Sequence, residues 1–403
     1  MITRRTLLVS AAGCCTHSAA APSPVMDKVD VFRAGDGGYA AYRIPGIVVT
    51  AKGTLIAYAE ARKKSFRDWG AIDIAVRRST DGGHSWSKTA FPGRLDGPMQ
   101  QNPVNVREKI AEPGDITYNN AVAIAGRDAT VHMVYCVEYM RAFYIRSSDD
   151  GVTWSRPVEI TGAFDAFRKA IDWKVLAAGP GHGIQTRRGR LIVPVWLSLG
   201  EGSNAHGGGT SSSTIYSDDG GKSWRAGDIA FPQAPGEQQG GEPIVVELPN
   251  GSVMLNARNS GTANRRLVSI SKDGAHQWSK PYFDKALIEP GCMGSLARHP
   301  KGILFSNPYN LEKSDGPAEP GSRRDRKNVS VQLSTDGGKT WPVRRAIEPG
   351  WSGYSDLGVG NNGKIYCFYE HGESPAKRFR PVALKVARFD LAWLTAPTDT
   401  PGV

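Results

Sequence analysis

The sequence predicts an all-β fold, a six-bladed β-propeller, and three observations carry that prediction. Five segments, Ser79–Trp86, Ser147–Trp154, Ser217–Trp224, Ser271–Trp278 and Ser334–Trp341, approximate one phrase, SxDxGxxW. Their first residues stand roughly 68, 70, 54 and 63 positions apart, inside or just beyond the periods at which repeats signal propellers or solenoids. The 403-residue chain also carries 47 Gly and 26 Pro, which suit many short strands and tight turns, and no long amphipathic helical period. Dividing the later chain by the repeat spacing gives about six units, inside the usual range of about 4–8 blades. One closed propeller therefore accounts for the length better than two or three separate domains.

The first element is a leader rather than fold. Arg4 and Arg5 precede an apolar run with a twin-arginine flavour, and Ala19 to Ala21 offer a small-residue cleavage site. Met1 to Ala21 is thus expected to be an export signal that delivers the protein to the periplasm or the exterior. Ala12, Gly13 and Cys14 outline a weak lipoprotein box, with Ala11 where a larger aliphatic residue is usual, so a lipid anchor stays open. Residues 26–395 are then the propeller, with no stretch apolar enough to span a membrane and no appended lectin domain expected before Val403.

Strands rich in aliphatic and aromatic residues lead into the repeated phrase, as in Ile72 to Arg78 and Phe143 to Arg146. Within the phrase, Asp can bond amides ahead of it, Gly supplies positive φ, and Trp folds back as an apolar plug. Each copy reads as a hairpin turn, which is scaffold. The fourth departs from the others, with Ala275 in place of the second Gly, so Gly274 is expected to shift that turn. A helical turn is expected around Phe164 to Trp173.

Composition narrows the partners. The formal net charge is +11, two of it from Arg4 and Arg5, which suits nucleic acid, an anionic surface or an acidic substrate. The basic residues are scattered and no aromatic-basic motif accompanies them, which argues against nucleic acid. Cys14 and Cys15 leave with the leader; Cys136, Cys292 and Cys367 cannot all pair and are expected to be buried thiols. Neither they nor the eight His residues have metal-ligand spacing, so no metal or cofactor is expected.

The chemistry is sought between the turns. Arg43, in Tyr42 to Pro45, follows a loop of small residues and precedes the apolar strand Gly46 to Val49. Alone it would read as a solvated charge. The segment closely resembles the [FY]RIP motif near the start of sialidases, and the repeated phrase resembles their Asp-box. The resemblance covers nearly all of the chain after the leader, and it implies an exo-α-sialidase whose first Arg binds the carboxylate of sialic acid.

A carboxylate site favours guanidinium groups, whose planar fork matches two oxygens and stays charged. The family uses three. The resemblance assigns Arg43, Arg258 in Met254 to Asn259, and Arg326, which has Asn328 two residues later; Arg323 and Arg324 are rivals for the third place. It assigns the acid/base to Asp68, 25 residues after Arg43, with Asp73 as competitor, and gives Arg62 a further substrate-binding role. Aromatic neighbours in a partly dry cleft are expected to raise the pKa of Asp68 toward the range useful for protonating a leaving oxygen.

Tyr354, in Gly353 to Leu357, matches the segment that carries the family's catalytic Tyr, and Glu242, in Gly241 to Pro243, resembles its glutamate motif. A carboxylate nucleophile would approach the acidic anomeric centre against charge repulsion, whereas a neutral phenol avoids it. Glu242 can take the phenolic proton from a group whose free pKa is about 10. The implied mechanism is retaining, through a covalent tyrosyl intermediate, with sialylated glycans as substrates. Trp173, His182, Trp196, the loop Glu201 to Gly209, Tyr139 and Glu138 are candidates for the cleft rim. A trans-sialidase, a hydrolase of a related nine-carbon acid, and a non-catalytic sugar-binding propeller are the alternatives.

Overall fold

The computed structural model describes residues 25–202, 205–233, 239–373 and 379–397, so the expected export signal over Met1 to Ala21 lies outside them. Within them the fold is all-β and propeller-like. Antiparallel sheets follow one another along the chain: Ala41–Val49, Leu55–Arg62 and Ile72–Ser79; then Tyr118–Ala125, Val131–Val137 and Arg141–Ser147. Leu191–Ser198 and Thr210–Ser217, with Val175–Ala178 on the inner side, form the next, followed by the four strands from Gly240–Glu247 to Tyr282–Ile288. A seven-stranded sheet completes the chain, and one 17-residue strand, Val343–Val359, passes through its middle.

That long strand serves two partners in succession. Val343 to Trp351 pairs with Lys327–Ser334, and Ser352 to Val359 pairs with Ile365–Glu373. The sheet ends on Asp27–Arg33, which pairs antiparallel with Arg380–Phe389 and so ties the beginning of the described chain to its end. First strands of successive sheets contact one another in turn, and Ser352 to Val359 returns to Ala41–Val49. The core is accordingly distributed between neighbouring sheets rather than central. Ile56, Ile74 and Val76 pack with Met133, Tyr135 and Ile145; Val31, Phe32 and Ile47 pack with Phe368, Leu384 and Val386.

The five repeated segments share one hydrogen-bond scheme. In each, the Ser hydroxyl donates to the Asp carboxylate, as Ser79 does to Asp81 at 2.7 Å and Ser334 to Asp336 at 2.8 Å. In four of them the same hydroxyl accepts the amide of the Gly four residues on, at 2.8 Å in each of Gly83, Gly151, Gly221 and Gly338. In the fourth segment Ser271 instead accepts from Gly274, one residue earlier, and Ala275 is fully buried. Each Trp plugs a different inter-sheet cluster, Trp224 and Trp341 being the most buried.

Among the described residues no helix is long and apolar enough to cross a membrane. The expected helical turn is a 3-10 segment, Thr161–Lys169, and Cys136, Cys292 and Cys367 are buried and unpaired.

Candidate active site

Several first strands are irregular near the same end. Pairing registers slip between Arg43 and Gly46, Asn119 and Val122, Gly241 and Pro243, and Ser352 and Ser355. An extra residue in one strand breaks the alternation of side chains and re-aims one of them. Ile44, Asn120 and Glu242 lie in these slips with φ of 60°, 52° and 42°, backbone that costs a non-Gly residue of order 1–3 kcal/mol. The bulges deliver Arg43, Asn120, Glu242 and Tyr354 to one cleft of about 800 Å³, which Asp68, Arg258 and Arg326 also line.

Tyr354 is the hub of the cleft, 4% exposed. Its hydroxyl donates to Glu242 Oε1 and accepts from Arg258 at 3.1 Å, while Arg258 also donates to Glu242 Oε2 at 2.8 Å. Arg326 and Arg43 lie against its ring, their Cζ atoms 4.9 and 5.4 Å from the centroid. Burial, reinforced by Glu242, pushes the phenol pKa up despite Arg258 and Arg326, so the phenol is neutral. Burial would raise the carboxyl of Glu242 as well, but Arg258 and the Tyr354 hydroxyl outweigh it and hold it below the usual range. The pair is a carboxylate accepting the proton of a phenol.

Asp68 stands across from this pair, its side chain 36% exposed and open to the cleft. Arg62 lies 3.0 Å away and Arg43 3.3 Å away. Burial favours the neutral acid, but the two guanidiniums dominate and hold its pKa well below the usual carboxylate range. The expected upward shift is therefore corrected: flanking aromatics are present, and charge outweighs them. Arg62 itself is 1% exposed and lies behind Asp68, with its remaining donors on Glu60 and the Phe66 carbonyl.

Arg258 and Arg326 face the cleft as the sequence suggested, and the rivals separate from Arg326 geometrically. Arg324 spends its guanidinium on the carbonyls of Ala318, Glu319 and Ser322 and on Asn264. Arg323 reaches the cleft near Arg258 and Arg326. Asp73 is outside the cleft, bound by Tyr39 at 2.7 Å and by Arg94.

Of the rim candidates, Tyr139, Trp196 and the loop at His206 to Gly209 line the cleft, and Trp69, Tyr139, Trp196 and His206 pack as one aromatic group. The others are corrected. Trp173 is buried in inter-sheet packing beside Phe164. Glu138 is fully buried, accepting the amides of Asn102 and Thr117. His182 lies in a separate depression of about 220 Å³ near Glu247, toward the other end of the first strands, and bonds Asp356 at 2.8 Å.

One important residue escaped the sequence reading. Glu370, fully buried, accepts from Arg43 Nε at 3.0 Å, from the Ile44 amide and from the Tyr354 amide. It fixes the first guanidinium and the tyrosine strand at once. The only local signal was an acidic residue directly after the apolar run Ile365 to Tyr369, which does not reveal its partners.

Residues 53–367 match the BNR repeat-like domain. The chain is 30% identical to the sialidase of Micromonospora viridifaciens over 94% of its own length and 56% of that protein. It is 31% identical to the sialidase of Bacteroides fragilis over 85% of its length and 62% of that protein. The chain thus spans less than two thirds of either relative. Among solved structures, the Hadza microbial sialidase Hz136 superposes with a TM-score of 0.70 at 25% identity, covering 91% of this chain and 69% of that one. The intramolecular trans-sialidase from Ruminococcus gnavus superposes with a TM-score of 0.70 at 19% identity, covering 92% and 98%, a likeness of fold alone. The chain belongs to the BNR repeat-like domain family.

Proposed function

We propose that the chain is a retaining exo-α-sialidase that releases terminal sialic acid from glycoconjugates through a covalent tyrosyl intermediate. The observation that carries this reading is the Tyr354 hydroxyl held between Glu242 and Arg258, with Arg43 and Arg326 against the same ring. Three guanidiniums around one tyrosine suit a sugar whose carboxylate sits on the reacting carbon. Arg43, Arg258 and Arg326 bind that carboxylate, and Glu370 and Glu242 keep Arg43 and Arg258 aimed while the cleft is empty. Arg62 acts on Asp68, as a positioning residue rather than a direct ligand.

In the first half-reaction Tyr354 attacks C2 while its proton passes to Glu242, and the C2–oxygen bond breaks as Asp68 gives its proton to the leaving oxygen. In the second, Asp68 takes a proton from water, the hydroxide attacks C2, and the phenolate leaves and recovers its proton from Glu242. The balance requires Asp68 to be protonated in the complex. The substrate carboxylate supplies the reason: by neutralising Arg43 it removes part of the field that keeps Asp68 ionised in the free protein.

The same reading takes the seven-stranded sheet as two blades sharing Val343–Val359, which makes six blades over residues 26–395, with the SxDxGxxW segments as Asp-box turns. It also takes Met1 to Ala21 as the leader that exports the chain to meet sialylated glycans. The test is Tyr354→Phe assayed on a fluorogenic sialoside. A fall in kcat of at least 10³-fold with retained binding of the product acid is expected, in keeping with loss of a covalent nucleophile. Hydrolysis near the wild-type rate would remove Tyr354 from the reaction.

A further inference from the structure

The segment Arg323–Lys327 crowds five ionic side chains beside the cleft, and four of them have partners within the protein. Arg324 is held by loop carbonyls and by Asn264. Asp325 accepts from Ser314 and pairs with Lys327 at 2.7 Å, and Lys327 also lies over the Trp351 ring. Arg326 donates to the Gly291 carbonyl and faces Tyr354. Arg323, an exposed residue, makes no hydrogen bond or ion pair among the described residues, and Tyr354 and Glu242 favour its charge only at longer range.

Its position is nevertheless built. A Cβ at Gly291 would stand 3.2 Å from Arg323 Cγ, so the glycine makes room for the arginine stem. The Arg324 amide bonds the Pro290 carbonyl at 2.9 Å, which pins the segment to the same wall. Arg258 first, then burial and Arg326, hold the pKa of Arg323 below that of a free guanidinium. Setting a third cation beside two others is unfavourable until an anion joins them. A neutral hydroxyl would supply a hydrogen bond but would leave that repulsion in place.

The proposed reaction uses Arg43, Arg258 and Arg326 on one carboxylate. Arg323 remains, in a cleft of about 800 Å³, toward the upper part of the roughly 300–1,000 Å³ range of small-molecule sites. We propose that Arg323 is a specificity-determining residue for a second negative charge on the substrate, so that the cleft favours doubly anionic sialosides. This rests on the sialidase reading. The second charge has two chemical sources: the carboxylate of another acidic sugar in the leaving group, or a sulfate ester on the terminal sugar.

The full-length protein and Arg323→Gln are compared on three sialosides: a neutral-aglycone one, an α2,8-linked disialyl conjugate, and one sulfated on the terminal sugar. The expected result is a fall of at least tenfold in kcat/KM, mainly through KM, on one of the two doubly anionic substrates. On the singly anionic one the fall is under threefold. Which substrate responds identifies the source. Arg323→Lys recovers part of the loss, and added salt weakens the wild-type preference, which a purely structural defect would not reproduce. Equal losses on all three substrates, or none, overturn the proposal.

Titration calorimetry with the same glycosides separates this idea from the sialidase reading. Doubly anionic ligands bound at least tenfold more weakly by Arg323→Gln, yet never hydrolysed by the wild type, would refute the reaction and uphold Arg323. Hydrolysis without discrimination by Arg323 would do the reverse.

Discussion

At the scale of single residues, the notable feature is a cleft carboxylate held ionised by two guanidiniums. Asp68 is kept below the usual carboxylate range by Arg62 and Arg43 against the opposing effect of burial. On the proposed reading, a substrate carboxylate reaching Arg43 lifts the value, so binding takes up a proton where the free and bound pKa values straddle the pH. Calorimetry of an acidic inhibitor, run near pH 5 in two buffers of different ionisation heat, is expected to show proton uptake by the wild type and none by Asp68→Asn. Equal uptake in both proteins would place the titrating group elsewhere. That Arg43, Asp68, Glu242, Arg258, Arg326 and Tyr354 meet in one cleft was legible in sequence because each sits in a short local motif. The sign of the Asp68 shift was not, since it depends on Arg62 and Arg43, delivered by two adjacent strands at 3.0 and 3.3 Å. Glu370 was invisible for the same reason, because its meaning lies in Arg43, 327 positions away.

At the scale of elements, the turn and the bulge divide the labour. The repeated turns could be read directly, since Ser, Asp, Gly and Trp at fixed offsets are all local chemistry. The bulges could not, because a register slip such as that between Gly241 and Pro243 is defined only against the partner strand. The turn aspartates allow a prediction with a sign. In Asp336 the Thr340 hydroxyl and amide, then the Ser334 hydroxyl, hold the carboxyl below its usual range. A depressed folded-state pKa stabilises the fold above the unfolded value, roughly 3.9 for Asp, and the contribution is lost as pH falls through the folded value. Asp336→Asn is therefore expected to unfold at lower denaturant than the wild type at pH 7, with the gap closing progressively below about pH 4. Urea midpoints at pH 7 and pH 3 test this; a gap that stays constant, or widens in acid, would mean that the carboxylate charge is not what the turn uses. Lys327–Ser334 separates the Asp336 turn from the cleft residue Arg326, so kcat of the variant at pH 7 is expected to be unchanged.

At the scale of the whole molecule, the candidate site and the closure of the fold share one joint. Asp27–Arg33 completes the sheet of Arg380–Phe389, and Arg388 pairs with Asp27 across the seam. Bonds from the last strands to the first sheet cross the same seam beside the cleft: Arg43 and Ile44 to Glu370, and Ile47 to Asp356 at 2.8 Å. Phe32, 1% exposed, fills the seam, stacking on Tyr42 with ring centroids 4.9 Å apart and touching Phe368. Its truncation leaves a cavity between the first sheet and the last, at the usual cost of about 3–5 kcal/mol for Phe→Ala in a core. Because Arg43 and Tyr354 are held from opposite sides of that seam, Phe32→Ala is expected to lose activity and structure together on heating. The thermal midpoint read by circular dichroism should fall, and the midpoint of residual sialoside hydrolysis should fall with it. Activity that disappears well below the structural transition would mean that the seam opens before the sheets melt. An unshifted structural midpoint would mean that the first strand is dispensable to closure.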